Sequence, residues 1–182
     1  MTTRFAGKSR SVWGWVAAVL VTGGGVGLAQ EMPGPGPEHE ALKRHEGEWI
    51  ATVKSPEGDS KGTMTLKMEC GGLWLASDFR AEFGGMKFHG RGFDGYDPVK
   101  KKYVSVWVDS MSPRPLLLEG TMDAEKKTLT MFGEGPGPDG KPVKYKNVTH
   151  FPDADRQTFT MHVVDADGQA TPMLTIEYVR KK

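Results

Sequence analysis

Cysteine is almost absent from this 182-residue chain, since Cys70 is its only one. A single cysteine cannot form an internal disulfide, so the fold must be stabilised by a packed core. We interpret Cys70 as a small buried strand residue rather than a reactive thiol.

An excess of charge of one sign is also missing, with 24 Lys and Arg against 23 Asp and Glu. The only basic runs are residues 100–102 and 180–182, which are typical of solvated turns and tails. A nucleic-acid-binding domain normally carries a clustered positive charge, so we expect no nucleic-acid partner.

The sequence lacks the short motifs of the common catalytic and metal-binding classes. There is no P-loop, no Gly-x-Ser-x-Gly elbow, no His-Glu-x-x-His and no paired cysteines. His39 and His45 lie six residues apart, which places them on different faces of a helix. We therefore predict no metal site, no cofactor and no catalytic residue.

Long apolar runs are confined to Val12–Leu28, which follows the cations Arg4, Lys8 and Arg10. A basic start, a short apolar run and small residues at Gly27 and Ala29 predict a signal peptide over 1–29. The alternative is an uncleaved anchor helix. Cleavage before Gln30 would leave 21 Lys and Arg against 23 acids. We expect an exported protein, periplasmic or secreted, with no membrane span after cleavage.

A flexible Pro- and Gly-rich lead over 30–37 precedes the predicted domain, 38–182. A short helix is predicted from Pro37 to Glu46, ended by Gly47. After Gly47 the chain alternates with a period of two, as in Met64-Thr65-Leu66-Lys67-Met68. Turn residues divide it into about ten strands without helical periodicity, which excludes a parallel sheet built from βαβ units.

Ten consecutive antiparallel strands would expose two edges unless the sheet closes. The predicted fold class is therefore all-β, an antiparallel up-and-down barrel of about ten strands with a short N-terminal helix. The glycines of 84–95 fit bent strands at barrel corners. A two-sheet sandwich is the alternative.

Gly47-Glu48-Trp49 after a short helix resembles the opening of lipocalin-like (calycin) barrels. Further segments are Gly71-Gly72-Leu73-Trp74-Leu75, Gly92-Phe93-Asp94-Gly95-Tyr96-Asp97, residues 103–110 and Glu177-Tyr178-Val179-Arg180. With them the chain is similar to bacterial domain-of-unknown-function family 1579 over nearly all of the predicted domain. The resemblance implies an exported lipocalin-like barrel and no known reaction.

A barrel of this size can hold one small, partly apolar molecule, with an apolar wall for affinity and a few polar groups for orientation. We predict a ligand pocket at one end of the barrel, lined by Trp74, His89, Arg91, Phe93, Trp107 and Asp109. The competing interpretation of the polar members is a set of outward-facing cross-strand ion pairs.

Three alternatives to a ligand-binding barrel remain. The first is a structural or protein-interaction barrel with a filled core. The second is an enzyme that uses Asp109, His89 and Arg91 at the barrel mouth. The third is a haem-binding barrel that resembles nitrobindins, with His150 or His162 as the ligand, although the glycines that follow the Trp in that family are absent here. The sequence leaves the oligomeric state open.

Overall fold

The computed structural model describes residues 34–55, 58–137 and 140–182. The predicted signal peptide and residues 30–33, the first half of the predicted lead, lie outside these residues, so both stay predictions. No helix in the described part of the chain has the length and apolar character that a membrane crossing requires.

Ten strands follow one short helix in the described chain. The helix, α1, is Pro37–Lys43, and the strands are β1 (Gly47–Ser55), β2 (Gly58–Glu69), β3 (Trp74–Phe83), β4 (Met86–Asp97), β5 (Lys102–Asp109), β6 (Ser112–Asp123), β7 (Thr128–Pro136), β8 (Pro142–His150), β9 (Arg156–Val164) and β10 (Ala170–Arg180). The predicted strand count and the predicted all-β class are both confirmed.

The strands form one closed barrel in which each pairs antiparallel with its neighbours in sequence, and β1 pairs with β10. Closure removes both sheet edges and excludes the sandwich alternative. In β1, Trp49 lies opposite Arg180, and Lys54 lies opposite Thr175. The register shifts once between β5 and β6 and once between β9 and β10.

Alternate residues of every strand face the interior, as the pleat requires. The inward set carries the core, which includes Trp49, Ala51 and Val53 of β1. The remaining inward positions are mainly Leu, Met, Phe, Tyr and Gly. Val106 and Val108 of β5 are exposed, so that strand's valines face outward and Tyr103, Ser105, Trp107 and Asp109 face inward.

Two local predictions are wrong. The helix ends at Lys43 with Arg44 as its C-cap, so it does not reach Glu46. Gly47 instead opens β1 with φ of +131°. Cys70 is exposed with φ of 50° in a single 3-10 turn, Cys70–Gly72, because the chain reverses there between β2 and β3.

One end of the barrel is closed around Trp49, whose ring is 1% exposed. The Arg180 guanidinium lies over that ring, 4.2 Å from its centroid. The same guanidinium donates to the carbonyls of Glu46, Arg44 and Ala154, and so joins the helix end and the β8–β9 turn to β10. A Cβ on Gly47 would lie 2.8 Å from Arg180 Nη1, so glycine is required there for space as well as for φ.

His45 completes this end of the barrel. Its ring stacks on Phe151 with centroids 4.2 Å apart, and its carbonyl accepts a hydrogen bond from Trp49 Nε1. Burial of the ring, followed by the charges of Arg180 and Arg44, lowers the pKa of His45 to about 4. The imidazole is therefore neutral in the native state at neutral pH.

Replacement of Trp49 by Ala should lower the free energy of unfolding by about 3–5 kcal/mol, because it opens a large cavity beneath Arg180. Urea titration followed by circular dichroism measures the loss. Trp74→Ala is the matched control, since that half-buried ring lies on the outer face, and it should cost less than about 2 kcal/mol. Equal losses in the two variants would contradict the assignment of Trp49 as the core anchor.

The depressed pKa of His45 makes the native state lose stability as the pH falls from about 6.5 towards 4, where the unfolded chain binds a proton that the native chain does not. His45→Phe keeps a stacking ring on Phe151 and should remove roughly 1–3 kcal/mol of that acid destabilisation. Urea midpoints measured from pH 4 to 8 test this. His150→Phe, at an exposed histidine, is the control and should leave the profile unchanged.

Candidate functional site

A polar cluster on the outside of β3 and β4 centres on the Asp78 carboxylate. Arg80 Nε lies 3.0 Å from Asp78 Oδ1, His89 Nε2 lies 3.3 Å from that atom, and Arg91 Nη1 lies 3.7 Å from Oδ2. Burial raises the pKa of Asp78, but hydrogen bonds from Arg80 and His89 outweigh it and the net shift is downward. The cluster matches the competing interpretation, a set of outward-facing cross-strand ion pairs. Such exposed pairs contribute little to the free energy of unfolding.

Phe93 and Trp74 belong to the same outer face. Phe93 is 37% exposed and lies between Ala76 of β3 and Val106 of β5. Trp74 lies opposite Gly95, where a Cβ would come within 2.8 Å of the indole. These two rings cover the outside of the sheet and do not reach the interior.

Trp107 and Asp109 lie on the inside of β5. The indole of Trp107 lies flat against β4, where a Cβ on Gly90 would lie 2.1 Å from the ring and one on Gly92 would lie 3.0 Å from it. Trp107 Nε1 donates to Asp109 Oδ2 at 2.9 Å, and Asp109 Oδ1 accepts from the Met111 amide. The two glycines of β4 thus make room for a fixed aromatic wall and are not corner bends.

The six predicted site residues therefore do not line one pocket. Trp107 and Asp109 face inward, whereas Trp74, His89, Arg91 and Phe93 face outward because alternate residues of a strand point to opposite sides. The structure brings together Trp107 with Asp109, and His89 with Arg91 through Asp78. Ligand binding by any of the six stays a prediction.

Sequence reasoning missed the polar residues of the interior. Asp94 of β4 and Ser105 of β5 lie directly opposite each other. Ser77 of β3 lies opposite Gly92, two residues before Asp94 on β4. Asn147 lies across the barrel on β8, between Met131 and Met161. Its Oδ1 and the inward Ser60 Oγ are buried and have no hydrogen-bond partner in the protein. Buried polar atoms are normally hydrogen-bonded, to protein or to ordered water, so these two atoms are candidates for a water or ligand contact.

Asp94 differs electrostatically from the other charged residues at inward positions. Burial raises the pKa of its carboxyl from 3.8 to about 6, and a hydrogen bond from Ser105 opposes that rise. The other charged residues at inward positions of the described strands are Asp109, Arg114 and Arg180. All three have protein partners: Trp107 Nε1, the Gly140 carbonyl and the Ala154 carbonyl respectively. Asp94 is therefore a buried carboxyl whose hydrogen-bond partner, Ser105, carries no charge.

The arrangement is unfavourable for the enzyme and haem alternatives. His89 and Arg91 lie on the opposite side of the wall from Asp109, so they cannot act on one substrate. His162 Nδ1 lies 3.0 Å from the Lys146 carbonyl at an outward position of β9, and His150 is exposed. Neither histidine fits a haem held inside the barrel. Within the described residues no three His, Cys, Asp or Glu side chains are grouped to bind a metal ion.

Residues 34–180 match the model of a family described as protein of unknown function (DUF1579). The match covers most of the chain, so the protein belongs to this family, as the sequence resemblance predicts. No curated protein matches the chain.

Several solved structures are similar to the barrel. The crystal structure of Rv2717c from M. tuberculosis has a TM-score of 0.60 at 14% identity and covers 81% of this chain and 99% of that one. The S-type phycobiliprotein lyase CPES from Guillardia theta has a TM-score of 0.54 at 10% identity, with 80% and 93% covered. A redesigned β-barrel, mFAP1, bound to DFHBI has a TM-score of 0.42 at 16% identity, with 77% and 98% covered. At these identities the likeness to the first two structures establishes the fold alone.

Because the pKa of Asp94 is raised, the ionised carboxylate lowers the stability of the native state at neutral pH. The native state favours the protonated acid, so this contribution to stability is complete below about pH 4 and is lost as the pH rises through about 6. Asp94→Asn should therefore stabilise the protein at pH 7.5 by about 1–3 kcal/mol, and the gain should vanish near pH 4. Urea unfolding at both pH values measures it.

Asp78→Asn is the matched control on the outside of the barrel. The pKa of Asp78 is lowered, so this variant should lose stability at neutral pH instead of gaining it. A destabilised Asp94→Asn at pH 7.5 would contradict the placement of Asp94 away from any cation.

Proposed function

We propose that this protein is an exported, non-enzymatic barrel that binds a small, partly apolar molecule in its interior. The observation that carries the proposal is the set of polar groups that face an otherwise apolar interior, two of which, Asn147 Oδ1 and Ser60 Oγ, have no partner in the protein. An unpaired buried polar atom costs roughly 1–3 kcal/mol, which favours a partner inside the barrel for these groups. A ligand or its associated water repays that cost.

The composition of the inner wall supports the proposal. Half-buried methionine, leucine and phenylalanine side chains pack against the core from the inside of β6–β10: Met122, Leu129, Phe159, Met161, Met173 and Leu174. Methionine adapts its shape to irregular ligands. An apolar wall with few polar groups is the usual composition of a small-molecule site.

Trp107 gives a direct optical test. Decanol, a small apolar alcohol, should change the tryptophan emission of the mature protein as it enters the interior beside Trp107. Trp107→Phe should abolish most of that change, whereas Trp74→Phe should retain it, because Trp74 lies on the outer face. Both variants keep an aromatic ring, so circular dichroism should be unaltered.

Three outcomes would contradict the proposal. Decanol could leave the tryptophan emission unaltered and release no heat of binding in isothermal titration calorimetry. Trp74→Phe, and not Trp107→Phe, could abolish the change, which would place binding on the outside. A crystal structure of the mature protein could also reveal an interior filled by side chains, with Asn147 and Ser60 paired to protein atoms.

One observation favours the protein-interaction alternative. Four outward side chains form an exposed apolar row across neighbouring strands: Phe93 at 37%, Val106 at 36%, Leu117 at 57% and Phe132 at 53% exposed. Phe93 lies opposite Val106, and Val106 lies opposite Leu117. Analytical ultracentrifugation tests this candidate first. Concentration-dependent association that Leu117→Lys removes would support it, and a monomer at all concentrations would not.

Export rests on the sequence pattern of residues 1–29. Mass spectrometry of the protein recovered from its native host should give an N-terminus at or near Gln30. Recovery of the intact chain from Met1 in a membrane fraction would contradict export by a cleaved signal peptide. An Ala29→Gln variant should slow processing, because a small residue is needed before the cleaved bond.

A further inference from the structure

We infer that the barrel selects an amphiphilic amine, with its ammonium group at the Asp94 carboxylate. This inference rests on the proposed function, since it names the class of molecule that enters the same interior. It is carried by the position of Asp94 among aromatic rings and by the absence of a competing cation near it among the described residues.

The surroundings of Asp94 suit a cation. Ser105 lies directly across from it, and Tyr103 and Trp107 lie two residues to either side of Ser105 on the same inward face. Tyr96 lies two residues further along β4, with its ring centroid 5.3 Å from that of Tyr103. Diagonal neighbours on one face of a sheet are within reach of aromatic side chains, so Tyr96, Tyr103 and Trp107 are inward-facing neighbours of Asp94. Aromatic rings and a carboxylate together attract organic ammonium groups.

A preformed wall lies beside the carboxylate. Gly92 precedes Asp94 on the inward face, and the room that its missing side chain leaves is occupied by the Trp107 ring and Ser77 Oγ. The Trp107 ring rests on the backbone there and is held by its hydrogen bond to Asp109. The wall next to Asp94 is therefore rigid, which reduces the cost of ordering side chains on binding.

The charge balance of the interior opposes anions. The two inward arginines lie at the two ends of the barrel, Arg114 exposed at one rim and Arg180 held over Trp49 at the other. Burial raises the pKa of the Tyr96 and Tyr103 phenols, and the negative charge of Glu38 of α1 raises the pKa of both further. The burial that raises the pKa of Asp94 also means that its ionised form gains from a cationic partner.

Three ten-carbon probes of one shape test the inference: decylamine, decanol and decanoate. Isothermal titration at pH 7.5, below the micellar range, should give decylamine the highest affinity, about tenfold above decanol, and decanoate the lowest. Asp94→Asn should lower the affinity for decylamine by about tenfold and change that for decanol by less than about threefold. Asp78→Asn, the outward matched control, should leave all three affinities unchanged. Circular dichroism verifies that both variants are folded.

The outcomes separate this inference from the proposed function. Equal affinities of decylamine and decanol, unaffected by Asp94→Asn, would overturn the amine preference and leave the ligand-binding barrel intact. A loss of decylamine affinity in Asp78→Asn and not in Asp94→Asn would place the amine on the outer surface and overturn the inference. Failure of all three probes to bind would overturn both. Should Asp94→Asn fail to fold, Asp94→Ser removes the same carboxylate and provides the same comparison.

Discussion

The contact of Arg180 with Trp49 is the interaction on which the rest of the structure depends. A ten-strand meander becomes a barrel only if its last strand pairs with its first, and Arg180 and Trp49 are cross-strand partners in that pairing. The guanidinium also holds the carbonyls of Glu46 and Ala154, so one side chain joins the helix, β1, β10 and the β8–β9 turn. Residue 47 is a glycine because a Cβ at this position would crowd the Arg180 guanidinium.

Closure in turn fixes which residues face inward, since a shift of register by one residue would exchange the two faces of a strand. With the observed register, Asp94, Ser105 and Trp107 share the interior, and Asp78, His89 and Arg91 share the exterior. The interior consequently contains one buried carboxyl without a cation, and the exterior contains a carboxylate whose neighbours are two arginines and a histidine. Two aspartates on adjacent strands thus have pKa values shifted in opposite directions.

Much of the fold is readable from the sequence. The alternation at Met64-Leu66-Met68 and the turn glycines at Gly84-Gly85 define strands and their ends, and ten antiparallel strands require closure. The helix end was harder to locate, because Gly47 is typical of a C-cap and serves instead as the first residue of β1.

The candidate site was less predictable, because alternation alone does not say which face of a strand is inside. In β4 the inward positions 90 and 92 are glycines, so the conspicuous side chains of His89, Arg91 and Phe93 all belong to the outer face. Asp94 contributes to the sequence interpretation only as part of the segment that carries the family resemblance. One signal was present in the sequence. β4 has glycines at alternate positions 90 and 92, and the next strand has a tryptophan, Trp107, whose ring can lie on the bare backbone of those glycines.

The central claim is that a small molecule enters the interior next to Trp107 and Asn147. Two-dimensional ¹H–¹⁵N NMR of the mature protein measures this directly, because the indole N–H of Trp107 and the side-chain amide of Asn147 report from opposite walls. The account predicts that decanol shifts both signals and leaves the indole signal of the outward Trp74 in place. Shifts confined to Trp74, or no shifts at saturating decanol, would contradict it.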